Sequence, residues 1–178
     1  MAEEEKKKKR PHRRDYLNDF RLNVAGEYVY TGRTFRWPAG RKQTLIRFWI
    51  LSLFACAAAV AGGCIPGTGM EGSAWVLLPY VAGLICAFVC LYTVGKLAFA
   101  GEEVREYIFK GSVEKLPLRT LMTAIFSSIA VLGELVNLFL PIFRGKIWAG
   151  ILFMGLETAI CTAALLLRRA VVRLEWTQ

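Results

Sequence analysis

The sequence is short of the residues that most enzyme chemistry needs. It holds one histidine, His12, inside a basic stretch far from any cysteine. Its five cysteines, Cys56, Cys64, Cys86, Cys90 and Cys161, form no C-x-x-C pair, and all fall within or at the edge of apolar blocks. A histidine–cysteine metal centre and a thiol oxidoreductase both lose their usual ligands or redox pair, and small apolar packing is the plainer role for these thiols. No glycine-rich phosphate loop, nucleophile elbow or zinc-protease motif is present. The reading is of a non-enzyme with no cofactor and no metal. The chain also lacks the short, early apolar segment of a cleavable signal peptide, since about 43 polar residues precede its first apolar block.

What it does have is apolar sequence in four separate runs. Hydrophobic residues make up 55% of 178, above the ~45–50% of soluble domains. They concentrate at residues 44–64, 74–99, 118–139 and 147–167, with the charges between. Each run approaches the ~20 residues that cross about 30 Å of hydrocarbon. The runs are apolar all round rather than alternating, which predicts helices and excludes strands of a barrel. The expected fold class is all-α, a polytopic membrane protein built as a four-transmembrane-helix bundle.

Twelve of the 23 lysines and arginines precede the first apolar run, and none lies in the loop 65–73. The loop after the second run holds Lys96, Arg105, Lys110, Lys115 and Arg119, and the tail 168–178 holds Arg168, Arg169 and Arg173. By the positive-inside bias both termini and the middle loop are cytoplasmic, in a bacterial cytoplasmic membrane. Arg144 and Lys146, in the short third loop, are the two charges on the wrong side. The net charge of +9 is then mainly a topology signal. The bilayer and its anionic headgroups are natural partners, whereas nucleic acid is a poor one, because no reading module accompanies the charge.

Residues 1–14 form a tail expected to be disordered, with Lys6, Lys7, Lys8, Lys9 and Arg10 as its headgroup contacts. Residues 15–43 form a cytoplasmic juxtamembrane segment dense in aromatics, among them Tyr16, Phe20, Tyr28, Tyr30, Phe35 and Trp37. A β-hairpin is expected there, pairing Glu27–Tyr30 with Arg33–Trp37 about Thr31-Gly32, with Gly32 supplying a positive φ. An isolated hairpin is marginal in water, so it should lean on the membrane interface or on a protein partner. In the middle loop Val104, Tyr107 and Ile108 have helical spacing. They suggest a continuation of the second helix or an interfacial helix, broken near Gly111, with Pro117 in the first turn of the third helix.

Two carboxylates inside apolar runs are the candidate site. Glu134 lies on a stripe with Thr123, Ser127, Ala130 and Asn137, and Glu157 on a stripe with Gly150, Met154, Cys161 and Ala164. An ionised side chain at mid-bilayer costs about 2.5–3.5 kcal/mol on insertion scales, so such residues normally face the bundle interior. Helices three and four share a short turn and must be antiparallel neighbours, with Glu157 about one turn deeper than Glu134. Two readings follow. The carboxyls serve as polar glue between helices, or they hold protons or a cation. The corresponding functions are an accessory or partner-docking subunit of a membrane complex, and a small oligomeric proton- or cation-coupled transporter or channel. Small residues spaced four apart, such as Ala58 and Gly62, allow close contact within one chain or in a homo-oligomer.

Overall fold

The computed structural model describes residues 20–22, 28–38, 40–139 and 146–176. The basic tail, with Lys6 to Arg10 and Tyr16, lies outside the described residues. So does Arg144.

Four long helices carry the apolar runs: α1 (Arg41–Gly63), α2 (Ala74–Ala98), α4 (Leu116–Phe139) and α5 (Ile147–Val172). A short helix, α3 (Glu106–Ser112), precedes α4. Each long helix is long and apolar enough to cross a membrane. Their surfaces fit that medium. Ile50, Leu78, Ile85, Leu132 and Leu152 point outward with no polar cover, an arrangement a soluble protein avoids. Trp75, Trp148 and Phe139 are exposed at one end of the bundle, and Tyr92 and Phe99 at the other. Seventeen residues separate Trp75 from Tyr92 on α2, or ~25 Å of helix. Aromatic girdles at that spacing match the two edges of a hydrocarbon layer.

Around the bundle the neighbours are α1 with α2, α2 with α4, α4 with α5, and α5 with α1. The interior is built from small residues. Ala55, Ala58 and Ala59 of α1 pack on Ile160 and Ala163 of α5. Pro79 lies inside α2 and offers no N–H to the carbonyl four residues back, at Trp75. Against that carbonyl sits Gly133 of α4, where an added Cβ would approach the Trp75 oxygen to 3.0 Å. α4 therefore crosses α2 closely where the proline leaves a carbonyl free.

The helix ends differ from expectation by a few residues, most at α5, which runs on through Arg168 and Arg169 to Val172. Pro117 does occupy the first turn of α4.

The larger corrections concern the juxtamembrane segment and the middle loop. The expected hairpin about Thr31-Gly32 is not formed. β2 (Tyr28–Tyr30) pairs instead with β1 (Phe20–Leu22), antiparallel. β3 (Thr34–Arg36) pairs with β4 (Glu103–Arg105), 67 residues away between partners Arg36 and Glu103. Gly32 does not take the positive φ the hairpin turn requires. Its small size serves a different end: the Tyr30 ring folds over it, leaving no room for a Cβ. Val104 belongs to β4, not to a helix, and is fully buried. The segment leans on its own chain rather than only on the bilayer or a partner.

Candidate functional site

The interior polar groups fall into layers along the bundle, and each of the two carboxylates belongs to a different one. At the end where α1 and α2 are joined, Glu134 is fully buried. Both its carboxylate oxygens accept from the backbone N–H of Gly69, at 3.1 and 3.0 Å. Gly69 begins a single 3-10 turn, Gly69–Glu71. Glycine gives the close approach there: a Cβ on Gly69 would meet the Glu134 carboxylate and the Asn137 amide, and one on Gly150 would come within 2.8 Å of Glu134 Oε1, so either would displace the carboxylate. The same loop is tied twice more. The Gly67 N–H donates to Glu71 Oε1 at 2.9 Å, and the Lys146 N–H donates to the Gly67 carbonyl at 3.0 Å. Glu134 thus fastens the loop 64–73 onto α4 beside the start of α5.

One layer deeper, the Tyr80 hydroxyl donates to the Ala59 carbonyl at 2.8 Å, and its ring tilts against Phe153 at 5.8 Å between centroids. Glu157 lies deeper still, 2% exposed. The Ser127 hydroxyl is beside it but closes no hydrogen bond of ordinary geometry. Ser127 is seven residues from Glu134 on α4, and Glu157 seven from Gly150 on α5, so the two carboxyls are anchored ~10 Å apart along the bundle. No hydrogen bond joins them. On α4 Thr123, Ser127, Ala130 and Glu134 are all buried; on α5 Gly150, Glu157 and Ala164 are buried, and Met154 and Cys161 only partly so. The register of α4 against α5 sets an offset of about two turns, against the one turn read from the sequence.

The remaining polar layer lies toward the opposite end. Cys90 Sγ and Thr123 Oγ1 are 3.8 Å apart, and the Arg119 guanidinium donates to Thr93 Oγ1. Ser52 and Thr120 return their hydroxyls to carbonyls of their own helices, at 2.6 and 3.0 Å. Between these residues is a void of about 10 Å³, lined by α1, α2, α4 and α5, barely the space of one water. Asn137, expected on the interior stripe, is only half-buried and borders an apolar groove with Trp75, Leu132 and Val136.

The aromatic candidates gather at the end holding the start of α1. Phe35 stacks on Phe109 of α3, 4.1 Å between centroids and 14° between planes. Phe109 meets Trp176 edge-on at 5.2 Å, and Trp176 packs on Trp37 at 4.7 Å. Below them a core of Phe48, Val94, Leu97, Val104, Leu116 and Leu167 joins the platform to the bundle. The Tyr30 hydroxyl donates to the Arg33 carbonyl at 3.3 Å and accepts from the Glu106 N–H at 3.2 Å. The backbones of Phe20 and Tyr28 lie in the β1–β2 pair. Trp176 and Phe109 were not among the sequence candidates. Their signal was weak, since Phe109 has only Tyr107 near it and Trp176 stands alone, each in a charged segment.

No protein-family model matches the chain, and no curated protein or solved structure matches it.

Proposed function

We propose that this chain is a non-enzymatic, multi-pass membrane protein that serves as an accessory or partner-docking subunit of a membrane complex. The observation that carries the reading is how the interior polar groups are used. Glu134 is spent on fastening a loop, Tyr80 on bridging α2 to α1, and Arg119 on bridging α4 to α2. The void beside Ser52, Cys90 and Thr120 is about 10 Å³, the space of barely one water. Function then falls to the outside. α5 turns Gly155, Thr158 and Thr162 outward, small and hydroxylated positions of the kind helices use to meet one another in lipid.

The proposed orientation puts the end bearing Arg41, Lys96, Lys115 and Arg169 in the cytoplasm of a bacterial cell, with both termini there. The loop 64–73, free of lysine and arginine, faces outward.

The second reading is a small oligomeric proton- or cation-coupled transporter. Glu157 favours it, being a carboxyl 2% exposed in the bundle interior beside the Ser127 hydroxyl. Protein reconstituted into liposomes with an entrapped pH dye separates the two. The docking reading expects proton flux no faster than in protein-free vesicles. Flux that disappears in Glu157→Gln would favour transport instead.

A further inference from the structure

At the end of the bundle where α1 begins there is a cavity of about 370 Å³, lined by Arg36, Trp37, Arg41, Glu102 and Glu103 among others. Its level relative to the bilayer follows from its neighbours. The apolar run of α1 starts at Leu45, one turn past Arg41. Phe99, three residues before Glu102, is 90% exposed, which suits a ring inserted in lipid. The cavity opens at the height of lipid headgroups.

Its charges are partly spent. Arg36 and Glu103 are bound to each other at 3.0 Å. What remains is one cation and one anion. Arg41 holds the Ala98 carbonyl at 3.3 Å and lies over the Trp37 ring at 5.9 Å, with its Nε buried and lacking an acceptor. α1 begins beside the cavity, at Gly40 and Arg41, with no side-chain cap on its first turn. Glu102, exposed, makes no ion pair among the described residues. The Arg41 guanidinium and the Glu102 carboxylate line the same cavity with no ion-pair partner among the described residues, which suits a ligand that carries both an anion and a cation.

We infer that this cavity binds the headgroup of a zwitterionic aminophospholipid, the phosphate on Arg41 and the start of α1 and the ammonium on Glu102. The net charge of the lining favours a dipolar headgroup over a purely anionic one, since two arginines face two glutamates. The phosphate group itself could also come from solution, so the probes must separate the sources.

The test uses the full chain in mixed micelles with phosphatidylethanolamine, phosphatidylglycerol or inorganic phosphate. Apparent affinity is read from the shift of the thermal midpoint with ligand. Arg41→Gln and Glu102→Gln should each weaken phosphatidylethanolamine binding about tenfold, the worth of one charged hydrogen bond. Lys42→Gln, exposed on the same turn, should leave it unchanged. Glu102→Gln carries the test if Arg41→Gln fails to fold. Unchanged binding in these variants would overturn the proposal. So would tighter binding of phosphatidylglycerol that Glu102→Gln strengthens further, which marks a plain anion site. Stabilisation by inorganic phosphate equal to that by the lipid would overturn it in favour of a soluble ligand.

Discussion

Gly69, in the loop between the first two long apolar helices, gives its backbone N–H to both carboxylate oxygens of Glu134, 65 residues later, at 3.1 and 3.0 Å. The bond is buried, so removing the acceptor leaves a buried donor unsatisfied at about 1–3 kcal/mol. Glu134→Leu should therefore destabilise the protein by that amount in thermal unfolding. Glu134→Gln keeps an acceptor oxygen and should cost under about 1 kcal/mol. Gly69→Ala forces a Cβ into the carboxylate and should resemble the leucine variant. Equal stability of all three would show that the loop is not held by this bond.

Gly133 is the second close contact open to test. Its Cα lies against the Trp75 carbonyl that Pro79 leaves without a helical donor. A backbone carbonyl cannot rotate away, so Gly133→Ala should cost roughly 1–3 kcal/mol through overpacking. Gly155→Ala faces open space and should be neutral or slightly stabilising in the isolated chain. A loss of stability at Gly155 in membranes alone would mark α5 as a contact surface for another helix.

The aromatic platform makes a prediction about the N-terminal segment. Phe109→Ala removes the stack on Phe35 and the edge contact to Trp176. Aromatic pairs are worth about 0.5–1.5 kcal/mol each beyond their burial. The variant should release the segment, seen as faster protease cleavage between residues 31 and 38, with the four helices still inserted. Cleavage unchanged from the native chain would place the segment's anchor elsewhere.

The helices were legible because a bilayer admits so few solutions. An apolar run of twenty residues must be helical there, and its ends can be read to within a few residues. The buried stripe of Thr123, Ser127, Ala130 and Glu134 was legible for the same reason. The partners of these residues were not. Nothing near Glu134 in sequence points to Gly69, and nothing near Phe35 points to Val104 or Phe109. Such pairings depend on how four helices bring distant loops together. The juxtamembrane hairpin was misplaced rather than absent: β1 pairs with β2, while Gly32, which resembles a tight turn beside Thr31, uses its missing Cβ to seat the Tyr30 ring.

Orientation can be read with thiols already present. Cys64 is exposed at the loop end and should react with a membrane-impermeant maleimide in intact cells. In a Cys64→Ser background, Gly72→Cys should react likewise, since Gly72 is exposed with free space around it. Glu114→Cys, exposed at the other end, should react only after permeabilisation. The reverse pattern would invert the topology.

The docking account is tested most directly by the mass of the particle extracted from the native membrane. The tagged full chain, solubilised gently and weighed by native mass spectrometry, should carry an unrelated subunit in fixed ratio. That mass should persist in Glu134→Gln and Glu157→Gln, which leave the outer faces untouched. A particle whose mass is one chain, or a whole multiple of it, with no other polypeptide, would contradict the account.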